Sequence, residues 1–168
     1  MAAADPTLFG MTPDVRIRAA MATDTPAILA LADRLDAFGP TTRDGAEIAR
    51  RERAALADAL SQPSDTTSLL VAEQPLVGVV GAILLDERRD YFTDQRHGHV
   101  SILAVARDAE GQGIGRALLA AAEEWARANE FVKLTLSVFT ENHRAKHVYE
   151  REGWRPEIET WYKSLRDC

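Results

Sequence analysis

Three glycines within five residues, Gly111, Gly113 and Gly115, stand directly before a strongly patterned helix in the run ARDAEGQGIGRALLAAAEEWA, residues 106–126. Upstream, residues 97–105 alternate as a strand, with His99, Ser101, Leu103 and Val105 expected on one face and Val100, Ile102 and Ala104 on the other. Downstream, FVKLTLSVF at residues 131–139 sets Val132, Leu134, Leu136 and Val138 against Lys133, Thr135, Ser137 and Phe139, a plain period of two. A strand, a crossover helix and a second strand join as a right-handed parallel unit. That unit constrains the fold most, because it demands a parallel strand pair with the glycine loop where the first strand ends.

The rest of the chain supplies layers around it. Residues 15–20 read as a first strand. TDTPAILALADRLDAF follows as a helix, with Thr23 or Asp24 as N-cap, Pro26 in the first turn, Ile28, Leu31, Ala32 and Leu35 at helical spacing, and Gly39 and Pro40 ending it. A second helix is expected over residues 43–60, with Ile48, Ala49, Leu56 and Leu60 inward and Pro63 stopping it. TSLLVAEQ and PLVGVVGAILLDER read as an antiparallel hairpin. A short helix over 142–151, a Gly-Trp turn and a last strand near 159–165 complete one mixed sheet, antiparallel at first and flanked by helices. Residues 1–13, with two prolines and no sustained period, are read as a flexible tail before a single domain over 14–168.

Length and composition exclude several classes. The 168 residues, 46% hydrophobic and 27% charged, suit one water-soluble domain with its own core. A single cysteine, Cys168, permits no intrachain disulfide. His143 and His147 lie four apart but have no evident third ligand, so no metal is expected. A formal net charge of -6 argues against general affinity for nucleic acid, which needs clustered Lys and Arg. The arginines of RDGAEIARRERAAL read as a solvated helix face. With neither a leader pattern nor a spanning segment, the expectation is a cytoplasmic protein with no nucleic-acid or membrane partner. The oligomeric state stays open, a homodimer included.

A helix N-terminus leaves its first amide N–H groups without internal partners and carries partial positive charge, so it attracts anions. Glycines before it let several amides converge on a phosphate. Two nucleotide motifs compete and weaken: a Walker loop lacks its Lys-Ser/Thr pair, since Arg116 and Ala117 stand there, and a dinucleotide fold places its glycines after the first strand rather than late in the chain.

LAV at residues 103–105 leads into EGQGIG at 110–115, and Asn142, Ala145, Tyr149, Gly153 and Trp154 stand at N-x-x-A-x-x-x-Y spacing followed by a Gly-Trp turn. Together these residues resemble the signatures of the GNAT superfamily of N-acetyltransferases. The resemblance implies an α+β fold in three layers, α/β/α, whose mixed, mostly antiparallel sheet holds a splayed central parallel strand pair flanked by helices. It further implies acetyl-CoA as cosubstrate, bound at Leu103, Ala104, Val105, Gly111, Gln112, Gly113, Ile114, Gly115, Arg116, Asn142, Ala145 and Tyr149, and an acceptor amine, on a small molecule or a protein, that attacks the thioester directly. One position departs from the pattern. Glu110 stands where Arg or Gln is usual, and its carboxylate is expected to turn outward from a diphosphate it would repel.

The resemblance gives Tyr149 as proton donor to the leaving thiolate, whereas the general base is open. Relatives often carry Glu where Ser101 and Ser137 stand, and the two serines are expected to hold a water chain instead. His99 is the first candidate base, with Glu141, Glu87 and Asp86 as further ones. Two non-enzymatic readings compete: an acyl-CoA-binding module that does not turn over, and a protein-interaction domain on the same fold.

Overall fold

The structure, a computed structural model, describes residues 14–33, 35 and 43–165. Five strands, β1 (Arg16–Ala19), β2 (Thr67–Gln74), β3 (Gly78–Arg89), β4 (Arg96–Val105) and β5 (Leu134–Leu136), form one sheet in the order β1-β2-β3-β4-β5. The first three junctions are antiparallel and β4–β5 is parallel. Helices α1 (Thr25–Ala32) and α2 (Gly45–Ser61) cover one face, and α3 (Ile114–Ala128) with α4 (His143–Arg151) lies on the other. The expected three-layer α+β architecture with one parallel pair is thus present.

Two apolar clusters hold the layers together. Ile28, Leu31 and Leu56 pack on Leu69, Val71, Ala82, Leu84, Ile102 and Ala104. Across the sheet, Ile114, Leu118, Leu119 and Ala122, one stripe of α3, pack on Val80, Ile83, Leu85 and Val100. Fully burying one such large side chain stabilises the fold by about 1.5–3 kcal/mol. Beside them Arg18 holds two carboxylates, donating to Asp24 at 2.6 and 2.9 Å and to Glu73 at 2.9 and 3.1 Å. Asp24 therefore stands at the N-cap of α1 without capping it; its remaining contact is the Met21 N–H, 2.8 Å away. The second helix begins as a capped helix should, with Asp44 Oδ1 accepting from Ala46 N at 2.9 Å.

The parallel pair is seated by a glycine. A Cβ on Gly98 would stand 2.8 Å from Leu134 Cδ1 and 2.9 Å from Trp125 Cζ3, so only a bare backbone lets β4 approach β5 and α3 together. Pairing runs through Gly98, His99 and Val100 opposite Leu134, Thr135 and Leu136, and stops there.

Three sequence expectations are corrected. First, Leu84 pairs with Ile102 but Leu85 with Val100, leaving Ser101 as the extra residue of a β-bulge. The bulge sends Ile102 and Ala104 to the α1–α2 face and leaves Val100, Leu103 and Val105 with α3. His99 and Ser101 therefore do not share a face with Leu103 and Val105. Second, the strand expected over 131–139 is ordered as a strand only at Leu134–Leu136. Third, residues 159–165 form no strand, and Trp161 is 86% exposed. Alternation alone does not supply a partner, and a three-residue edge offers little to pair with. The first helix is described as far as Ala32, and its expected stop at Gly39 and Pro40 lies outside the described residues. No helix among the described residues is long and apolar enough to cross a membrane.

Candidate active site

Beyond Val100, β4 continues for five residues while its pairing with β5 stops at Leu136. Leu103, Ala104 and Val105 keep β3 as neighbour on one side, at Ile83, Ala82 and Gly81, and among the described residues no strand lies on the other. This edge runs directly into a single 3₁₀ turn, Arg107–Ala109, and then the glycine loop. The loop is built by left-handed backbone at Gly111 (φ 77°) and Gly113 (φ 80°), a conformation strained for any other residue. Gly113 is the N-cap of α3, and its carbonyl accepts from Ala117 N at 3.0 Å. The amides of Ile114, Gly115 and Arg116 then stand in the first turn, where α-helical pairing offers them no acceptor. The first turn of α3 holds no acidic residue. A Cβ on Gly111 or Gly113 would meet nothing within 4 Å, so both positions border open space.

The side chains around the loop are tied to neighbouring elements. Gln112 accepts from Gln74 Nε2 at 3.0 Å and donates to the Asp108 carbonyl at 2.9 Å, which braces the loop against the end of β2. Arg116 Nε donates to Glu152 at 3.0 Å, and Arg144 Nη1 donates to Glu110 at 2.5 Å. Glu110 is thus directed to α4. Asn142 caps α4, its Oδ1 accepting from Ala145 N at 3.1 Å. Tyr149, on the same helix, is half-buried against the α3 cluster beside Trp154, with ring centroids 6.2 Å apart. Burial raises its pKa above the usual phenol value, so the hydroxyl keeps its proton at neutral pH.

On the opposite face the Ser101 bulge lines a cavity of about 520 Å³ between α2 and the sheet, with Glu52, Asp58, Asp86, Arg88 and Ile102. Ser101 Oγ donates to Asp86 Oδ2 at 2.5 Å and accepts from Arg88 Nη2 at 3.1 Å. Thr67 donates to the other Asp86 oxygen at 3.1 Å. Burial raises the Glu52 carboxyl pKa, which marks this side of α2 as partly screened from water.

His99 is 7% exposed, and its Nδ1 lies 2.7 Å from Thr135 Oγ1. Thr135 Oγ1 also lies 3.3 Å from the Gly98 carbonyl; with its proton given to that carbonyl, Nδ1–H is the donor and Nε2 carries the lone pair. Burial first, then the Arg88 charge, lowers the His99 pKa to about 4. His97 is 8% exposed with Nδ1 unpartnered among the described residues. Ser137 stands one residue past β5 and is exposed; no hydrogen bond joins it to Ser101 or His99. The structure therefore gathers Ser101 and Asp86 with Arg88, keeps His99 on the adjoining rung as the cross-strand partner of Asp86, and leaves Ser137 apart. Asp86 as the partner of Ser101 was hidden from sequence reading, because the two are fifteen residues apart and meet only through the β3–β4 register.

Residues 32–154 match the acetyltransferase (GNAT) family. The chain is 32% identical over 109 residues to N-alpha-acetyltransferase 80 of Mus musculus, covering 62% of this chain and 33% of that protein. It is 34% identical over 90 residues to mycothiol acetyltransferase of Corynebacterium kroppenstedtii, covering 54% and 24%. This chain thus matches about a third and a quarter of the length of these relatives. Its fold superposes on AAC(6')-Iy in complex with the bisubstrate analogue CoA-S-monomethyl-acetylneamine with a TM-score of 0.70, at 16% identity over 91% of this chain and 99% of that one. A family match spanning most of the chain, over an architecture and loop of this kind, places the protein: it belongs to the acetyltransferase (GNAT) family.

Proposed function

We propose that this chain transfers an acetyl group from acetyl-CoA to a primary amine by direct attack in a ternary complex. One observation carries the reading: the strandless edge of Leu103–Val105 leads straight into the amides at the start of α3. That edge offers backbone partners to an extended pantetheine arm, much as an added strand would. The loop from Gly111 to Arg116 offers N–H donors to a diphosphate, and Asn142 and Ala145 border the cofactor from α4.

Acetyl-CoA supplies the thioester; the residues of this chain hold it and move protons. An amine that is an ammonium ion at neutral pH must lose a proton before it attacks. Ser101 takes that proton as its own passes to Asp86, so the bulge becomes the proton outlet of the cavity under α2. His99, held neutral with its Nδ1 engaged by Thr135, serves by packing beside Asp86. Tyr149 protonates the departing sulfur. The balance closes: as the C–N bond forms and the C–S bond breaks, the ammonium nitrogen loses two protons, one ending on the thiol of coenzyme A and the other in solvent. Three carboxylates against one guanidinium in the cavity lining favour a cationic acceptor, whether a small amine or a protein amine.

The test is release of free thiol from acetyl-CoA against a panel of spermidine, lysine, an aminoglycoside and peptide N-termini. Acceptor-dependent release supports the reading. A thermal shift with acetyl-CoA but no release from any amine would leave a binding module, and no thermal shift would leave an interaction domain.

A further inference from the structure

The loop opens with the charge least suited to a diphosphate, and the fold answers it from another element. Glu110 pairs with Arg144, 34 residues later, at 2.5 Å. Arg144 occupies the second position of α4, whose first turn is fixed by the Asn142 cap. Only its Nη1 is engaged by Glu110, and the side chain is 61% exposed, so most of the planar five-donor fork is turned to solvent beside the loop. Arg116 repeats the arrangement with the partners exchanged between elements, held through Nε by Glu152 at 3.0 Å. Arg144 and Arg116 are therefore each held by a carboxylate.

We propose that Arg144 is a ligand of the coenzyme A diphosphate and that Glu110 is its positioning residue. This rests on the reading of the loop given above and deepens it. The cation that the loop lacks at its first position is delivered from α4. Glu110, neutralised by the pair, repels the phosphates far less than a bare carboxylate would.

The experiment is calorimetric titration with coenzyme A and with dephospho-coenzyme A on wild type, Arg144→Gln, Glu110→Gln, Glu110→Ala and the double variant Glu110→Gln/Arg144→Gln. Loss of one charge-assisted phosphate contact is expected to weaken binding about 10-fold or more. Arg144→Gln also removes a cation that faces Glu110, so the double variant decides the role of the arginine. It should stay about 10-fold weaker than Glu110→Gln; equality of the two would mean that Arg144 only neutralises Glu110, and would overturn the proposal. Glu110→Gln keeps an acceptor oxygen for the guanidinium and should bind as wild type or tighter. Glu110→Ala, equally uncharged but without that oxygen, should bind several-fold more weakly than Glu110→Gln; equal affinities would remove the positioning role. The Arg144 penalty should persist with dephospho-coenzyme A, and its disappearance there would assign Arg144 to the 3′-phosphate instead. A wild-type protein that binds neither ligand would sink the loop reading itself, a result distinct from all of these.

Discussion

Ser101 Oγ and Asp86 Oδ2 stand 2.5 Å apart across the β3–β4 ladder, at the one position where that register slips and four residues before β4 ends its run along the open edge at Val105. A bulge re-aims a side chain without moving the strand around it. Here it turns a hydroxyl out of the α3 core and onto a carboxylate. Asp86→Asn should lower kcat/KM for an alkyl amine by about 10²- to 10⁴-fold, the usual range for losing a general base. The loss should shrink as pH rises towards the amine pKa, and it should be small for 2,2,2-trifluoroethylamine, which is uncharged at neutral pH. A deficit independent of pH and of acceptor basicity would show that Asp86 only supports the bulge.

Tyr149→Phe keeps the ring beside Trp154 and removes the proton. Turnover should fall by about 10- to 100-fold, within or just below the range for general acids, while acetyl-CoA affinity by calorimetry changes little. Unchanged turnover would leave the tyrosine as packing for α4 alone.

How far this site is legible in the sequence depends on distance along the chain. The loop, the cap at Asn142 and the spacing to Tyr149 are local, and they read directly. The pairs Ser101–Asp86 and Glu110–Arg144 need register and tertiary contact, and the residues between them carry no mark of either. The bulge is silent for a different reason: Val100, Ile102, Leu103, Ala104 and Val105 are all apolar, so a pattern serving two buried faces looks the same with or without an extra residue. The strand expected over 159–165 fails because alternation records a preference and not a neighbour.

His99 makes stability depend on pH. Its folded pKa of about 4 lies below the ordinary value of 6.5, so between these two the unfolded chain binds a proton that the folded chain refuses. The contribution is fully present above pH 6.5 and is lost progressively as pH falls towards 4. The loss is on the order of 2 kcal/mol, after allowance for partial solvent access. Urea unfolding of wild type and His99→Gln at pH 7.5 and pH 4.5 measures it. Wild type should weaken more than the variant, and parallel slopes would place the titration elsewhere. The acidic limb of the rate profile should survive in His99→Ala, since the proposed proton outlet runs through Ser101 and Asp86.

Arg18 carries the corresponding prediction for the frame. Its guanidinium is what allows Asp24, 8% exposed, to remain charged, and hydrogen bonding to Arg18 lowers the Asp24 pKa despite burial. Removing one partner of a buried pair leaves an uncompensated charge, a change that typically costs about 3–5 kcal/mol. Arg18→Met should therefore destabilise by somewhat less, about 2–4 kcal/mol, because Met21 N–H still donates to Asp24. The double variant Arg18→Met/Asp24→Asn removes the stranded carboxylate and should recover part of the loss, although Glu73, 35% exposed, gains nothing from it. Because the Asp24 pKa is depressed, the stabilising part of the pair is present above the ordinary carboxylate value and is lost as pH falls below it. The gap between wild type and Arg18→Met should narrow at pH 3. A constant gap would mean that Arg18 acts through its packed alkyl stem rather than through its charge.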